Sequence, residues 1–248
     1  MDEVAQEHAV ASQIAYTFED EGYEKAEQEL KESYPNYELD KELSDNYSIT
    51  IIKPDGSAIL SYRGTDIDRP DDIMADMVIA SGLYKTSILQ YVALPSGAYK
   101  YLPAGFTRFN LAQQKYESVA SKYNKITLTG HSKGGSQAKY IANNNNVEAH
   151  IFNPGSVPNL PGEVYESNAN TYLVKGDIIS KFSSTYTPKE KIKYIPQTAS
   201  SSHSLQNFLL KSNNNLPKTL TLQGTTFTDK DIIEQMCKEF PELCPKYR

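Results

Sequence analysis

Lys125-Ile-Thr-Leu-Thr-Gly-His-Ser-Lys-Gly-Gly135 is the stretch whose reading decides the fold. Its first five residues have the β-branched, apolar character of a buried strand. Gly130-His131-Ser132-Lys133-Gly134 then matches Gly-x-Ser-x-Gly and leads into a helical stretch carrying Ala138, Ile141 and Ala142. A serine on a tight turn between strand and helix projects its hydroxyl above a sheet. The crowding there admits only residues without side chains two positions before and two after. The helix that starts at the turn aims backbone N–H groups at a reacting carbonyl. About 0.06 such pentapeptides are expected by chance in a chain of this Gly and Ser content, so the strand–turn–helix context carries the reading.

On the N-terminal side, residues 47–53 and 57–62 alternate in polarity around Pro54-Asp55-Gly56, a hairpin signature. A short helix is expected over 71–80 and a long one over 107–122. Beyond the decisive stretch, the helix fades in the asparagines of 143–146. Strands are expected over 147–152 and 171–175, ending in Asn153-Pro-Gly and Gly176-Asp177. Helices over 205–211 and 229–240 complete the chain. This alternation predicts an α/β architecture: a mainly parallel central sheet flanked by helices, with an antiparallel hairpin on its N-terminal side. No Gly-, Ser- or Pro-rich linker marks a second domain, so residues 1–248 are expected to form one. Residues 1–46 read as an acidic helical extension packed on it. Val4, Ala5, His8, Ala11, Ser12 and Ala15 share one helical face. A second helix over 20–33 buries Tyr23, Ala26 and Leu30, presents its acids to solvent, and ends at Pro35.

Hydrophobic residues make up 39% of the 248 and charged residues 23%, which excludes collagen and a wholly disordered chain. The net charge of −6 lacks the basic excess that nucleic acid requires. That charge is uneven: residues 1–50 carry 14 Asp/Glu against 3 Lys/Arg, leaving the remainder with 17 against 22. No apolar run reaches membrane-spanning length. The N-terminus has neither a basic nor an apolar leader region, so the expected location is cytoplasmic, or exported without a classical signal peptide. Cys237 and Cys244 are expected to be thiols, with a small terminal disulfide as the alternative.

A serine hydroxyl needs a base, and the base an orienting acid. Of four histidines, His8 falls in the first helix, His131 beside the serine with its side chain leaving in another direction, and His150 inside a strand. His203, in a Ser-rich loop after the last strand signal, is the candidate base. Asp177, in a Lys-Gly-Asp turn at a strand end, is the candidate acid, with Glu163 and Glu166 as fallbacks. The order Ser132, Asp177, His203 is that of hydrolases built on this turn. Oxyanion donors are expected from the N–H of Lys133 and from Thr65, in Arg63-Gly64-Thr65 after an early strand. Neither metal nor organic cofactor is implied.

These motifs resemble the class 3 lipase family of the α/β-hydrolases. Tyr62-Arg-Gly-Thr-Asp66 resembles its oxyanion segment and Asp71-Asp-Ile-Met-Ala-Asp76 the helix that follows. Thr127–Gly135 resembles its serine turn, Phe152-Asn-Pro-Gly155 the next strand end, Val174-Lys-Gly-Asp177 its acid turn and Ser202-His203 its histidine loop. Lys133 before two glycines is closer to bacterial and phage relatives of the GHSKGG type. The resemblance implies Ser132 as nucleophile, Asp177 as acid, His203 as base, and Thr65 with Lys133 as oxyanion donors. It implies a lid over residues 81–106, apolar and punctuated by Gly and Pro, that could touch a membrane surface. Residues 175–218 carry seven Lys against Asp177 and Glu190, a charge that could attract anionic head groups. The expected activity is a lipase- or phospholipase-like serine ester hydrolysis of lipid acyl esters. The alternatives are an esterase or thioesterase on small soluble substrates, and an inactive hydrolase-fold module binding lipid or protein.

Overall fold

The computed structural model describes residues 1–64, 102–155, 168–177, 180 and 191–209. Within them, strands join in chain order into one seven-stranded sheet. These are β1 (Glu38–Leu39), β2 (Ser48–Ile52), β3 (Ala58–Tyr62), β4 (Ile126–His131), β5 (Ala149–Phe152), β6 (Ala169–Val174) and β7 (Ile192–Ile195). β1, β2 and β3 run antiparallel, and β3 to β7 are parallel. The expected mainly parallel sheet with an N-terminal hairpin is therefore what forms. Gly56, at φ +78°, turns the β2–β3 hairpin.

Four α-helices accompany the sheet in the described residues: α1 (Glu3–Glu21), α2 (Tyr23–Ser33), α3 (Leu102–Lys122) and α4 (Lys133–Asn145). Crossovers between successive parallel neighbours are right-handed, so their helices collect on one face. α3 and α4 do so, packing Ala112, Val119, Ala138, Ile141 and Ala142 against Leu60, Tyr62, Leu128 and Ile151. The other face needs its own cover, and α1 provides it. Ala5, Ala9, Ile14 and Ala15 join Ile49, Ile51, Ile59, Phe152, Tyr172 and Val174 in a second core. Strand alternation divides the two cores, with Ile59 on one side and Leu60 on the other.

α1 meets β4 along a polar seam. His8 Nε2 lies 2.9 Å from Thr127 Oγ1, Ser12 Oγ 3.0 Å from Thr129 Oγ1, and the Tyr16 hydroxyl 3.0 Å from His131 Nδ1. The match follows from geometry: four helical residues rise about 6.0 Å and two strand residues about 6.6 Å. Every fourth residue of α1 thus meets every second residue of β4.

Several local expectations change. α1 runs to Glu21, and Gly22 at φ +86° separates it from α2. The acids of α2 are not uniformly solvated. Glu29 is buried and accepts from Thr17 Oγ1 at 2.6 Å, and burial raises its pKa. Glu7 on α1 is likewise buried, paired with Lys53 at 2.9 Å and bonded to Tyr37. α3 starts at Leu102, five residues before the expected start and within the expected lid, because a first helical turn tolerates a proline such as Pro103. Residues 205–207 form a 3-10 turn, Leu205–Asn207. β1 and β7 were not anticipated: β1 has two residues, and β7 exposes Lys193 and Tyr194 in succession without alternation. The helices expected over 71–80 and 229–240, Cys237, Cys244, and residues 81–101 of the expected lid lie outside the described residues. No described helix is long and apolar enough to cross a membrane.

Candidate active site

β4 delivers Ser132 one residue past its end, and α4 begins at the next residue. Ser132 sits at φ 56°, ψ −126°, a conformation that an L-residue holds only under strain of about 1–3 kcal/mol. Its surroundings hold it there: its N–H donates to Phe152 O at 3.0 Å, and its carbonyl accepts from Ser136 N at 3.0 Å. The flanking glycines are required by close approach. A Cβ on Gly130 would stand 2.4 Å from the Gly134 carbonyl carbon, and one on Gly134 only 2.1 Å from Tyr62 O. The first N–H groups of α4, beginning with that of the buried Lys133, face out of its N-terminus at the serine end.

Asp177 follows β6 through a turn in which Gly176 takes φ +104°. Its N–H donates to Val174 O at 3.2 Å. Its buried carboxylate accepts a hydrogen bond from the Ser180 hydroxyl and contacts His203 Nδ1 at 2.8 Å. His203 Nε2 in turn lies 2.8 Å from Ser132 Oγ. A carboxylate can only accept, so the ring proton belongs on Nδ1 and the Nε2 lone pair faces the serine hydroxyl. The side chains are 14% exposed for His203 and 1% for Asp177, so only the histidine edge meets solvent.

The histidine loop is organised by one amide. Asn207 Oδ1 accepts from the N–H groups of Thr198 and Ala199, both at 2.7 Å, while Nδ2 donates to Ser201 O at 2.8 Å and Ser204 O at 2.9 Å. A second amide ties the loops together. Asn153, at φ 40° beyond β5, donates from Nδ2 to Ser202 O at 2.8 Å and accepts from Val174 N at 2.9 Å. It thereby links the end of the acid-bearing strand to the histidine loop. At the end of β3, the buried Arg63 pairs with Glu19 of α1 at 2.6 Å and donates from Nε to Asn46 O at 2.9 Å.

Ser132 and Asp177, just beyond the ends of β4 and β6, and His203, in the loop after β7, are thus brought together at the carboxyl edge of the sheet. Lys133 follows the serine as the first residue of α4. Thr65, Glu163 and Glu166 lie outside the described residues. The other histidines have different partners. The rings of His8 and His150 lie 4.5 Å apart, tilted by 31°, between α1 and the sheet. His131 is buried, its Nε2 2.7 Å from the carbonyl oxygen of His203 and its ring 4.9 Å from that of His203. Burial, with His203 adding to it, pushes the His131 pKa down to about 3. Sequence reasoning did not foresee the roles of Asn153, Asn207, Ser180, Tyr16 or the Arg63–Glu19 pair. Asn153 carried a signal in its strand-end motif, but Asn207 fell within the helix expected over 205–211, where nothing marked it. Among the described residues, no group of three or more His, Cys, Asp or Glu could hold a metal ion.

No protein-family model matches the chain, and no curated protein matches it. Solved structures similar to it include the lipase from Rhizopus microsporus var. chinensis, at 14% identity and a TM-score of 0.42, covering 81% of this chain and 75% of that one. Another is the Rhizomucor miehei lipase propeptide complex. A deletion mutant of it matches at 11% identity and a TM-score of 0.38, covering 83% of this chain and 74% of that one. Its native form matches at 12% and 0.34, covering 83% and 76%.

Proposed function

We propose that the chain is a serine ester hydrolase acting on lipid acyl esters through an acyl-enzyme. The observation that carries the reading is the unbroken path from Ser132 Oγ to His203 Nε2 at 2.8 Å and from His203 Nδ1 to Asp177 at 2.8 Å, beginning at a strained residue on a helix N-terminus. In this reading His203 takes the Ser132 proton as the oxygen attacks the ester carbonyl. Asp177 holds the imidazole in the productive tautomer and stabilises its charged form. The Lys133 N–H receives the oxyanion, with Thr65 as second donor. His203 then returns the proton to the departing alkoxide, and water repeats the cycle on the acyl group.

A fluorophosphonate probe tests the chemistry: wild type should be labelled and Ser132→Ala should not. No labelling of the wild type, or equal labelling of both, removes the hydrolase reading and favours a binding module. Lipid acyl esters, glycerophospholipid ahead of neutral glyceride, are the proposed substrates, with transient membrane contact through residues 81–106. The basic excess of residues 175–218 supports an anionic surface. A lipid panel read by mass spectrometry tests this. Turnover confined to soluble short-chain esters, with no rise above the critical micelle concentration, would assign the site to an esterase.

A further inference from the structure

His131 has two ring nitrogens and two partners, and together they define its state. Nε2 lies 2.7 Å from the main-chain carbonyl of His203, a group that can only accept, so Nε2 carries the proton. Nδ1 is then an acceptor, and the Tyr16 hydroxyl, 3.0 Å away on α1, donates to it. The chain of donors therefore runs from Tyr16 through the His131 ring to the backbone of the residue whose side chain faces Ser132. The ring groups that face His131 are Tyr16 from α1 and His203 from its loop, with the Asp177 carboxylate behind His203.

The placement answers a mechanical need. Asn207 and Asn153 fix the carbonyls of residues 201, 202 and 204. The carbonyl of His203 itself is held by His131. A peptide plane at residue 203 free to turn would swing the imidazole off Ser132. Because reacting groups must be held near attack distance, an error of about 1 Å lowers a rate about 10²-fold.

We propose that Tyr16 and His131 form a positioning relay that fixes the main chain of His203, making the N-terminal helix a working part of the catalytic site. This rests on the hydrolase reading above. His131 is a positioning residue, acting on the substrate only through His203.

Active-site titration with a fluorophosphonate, combined with hydrolysis of p-nitrophenyl butyrate, tests the relay. His131→Leu should lower kcat per titratable Ser132 by about 10–100-fold with little change in KM, because geometry rather than binding is lost. His131→Gln keeps an N–H donor and should recover most of that loss. Tyr16→Phe should slow the wild-type background by about threefold or more, and should add nothing to His131→Leu, since the relay is already cut there. A merely structural role would lower the number of titratable sites and leave kcat per site intact. The relay is overturned by kcat per site within about twofold of wild type in both His131→Leu and Tyr16→Phe, or by equal effects of Tyr16→Phe in both backgrounds. Should His131→Leu fail to fold, Tyr16→Phe, which removes one oxygen, decides by the same criterion. A wild type that is not labelled at all removes the hydrolase reading, and the relay with it. A labelled wild type with unaffected variants removes the relay alone.

Discussion

Gly134→Ala drives a methyl group into the backbone of β3. The new Cβ would stand 2.1 Å from Tyr62 O and 2.8 Å from the carbonyl carbon of Arg63. Carbon–oxygen contacts settle near about 3.3 Å, so the two elements must separate by about 1 Å. β3 cannot be the one to move. Tyr62 is paired with Ser48 of β2 on one side and Gly130 of β4 on the other. The N-terminus of α4 retreats instead, carrying with it the Lys133 N–H and the Ser132 turn. Overpacking of this kind destabilises by about 1–3 kcal/mol, and a 1 Å displacement of the reacting oxygen lowers the rate about 100-fold. The assay is the second-order rate constant of fluorophosphonate labelling, with a thermal melt on the same sample. Gly56→Ala is the control. Unlike Gly134 it has a positive φ, +78°, but it meets nothing within 4 Å and lies in the hairpin. It should lose about 1 kcal/mol of stability and label at the wild-type rate. A Gly134→Ala protein that labels within about threefold of wild type would refute the argument that contact with β3 sets the position of the serine.

Three further outcomes are expected. Asp177→Asn should lower ester turnover by about 10⁴-fold while preserving the fold, because an amide facing Nδ1 favours the wrong histidine tautomer; turnover within tenfold of wild type would argue against Asp177 as the acid. Burial above all holds His8 and His131 neutral, each with its pKa pushed from 6.5 down to about 3. The unfolded chain therefore binds more protons below pH 6.5, so this stability is complete above that pH and drains away towards pH 3, by up to about 1.4 kcal/mol per unit for each histidine. Denaturant melts at pH 7 and pH 5 should show wild type losing about 2 kcal/mol more than His8→Gln; equal losses would refute the assignment. Glu19→Gln removes the carboxylate 2.6 Å from the buried Arg63 guanidinium and should cost about 3–5 kcal/mol by chemical denaturation, whereas Glu19→Leu with Arg63→Met should recover most of it. A small effect of the single change would refute the dependence of Arg63 on Glu19.

Local chemistry made much of the candidate site legible from residues alone. The serine turn is a continuous stretch in which strand, glycines and helix are neighbours in the chain, so their steric logic shows in the order of residues. Asp177 and His203 stood out as candidates because each follows a strand or loop signal in the expected order. Residues 147–152 and 171–175 showed their strands through apolar, β-branched composition, while β1 was too short and β7 too exposed to have a pattern.

The tertiary structure alone decided what lies beneath that site. The first helix has a periodicity that says it is buried, but not on what. Right-handed crossovers put α3 and α4 on one face and leave α1 to close the other, where the matched rise of helix and strand sets His8, Ser12 and Tyr16 against Thr127, Thr129 and His131. Asn153, Asn207 and the Arg63–Glu19 pair owe their importance to partners that only folding brings near. His131 shows the division most clearly. Its position beside the serine was plain in the sequence, whereas its hydrogen bond to His203, 72 residues further on, exists only because β4 and the histidine loop end at the same edge of the sheet.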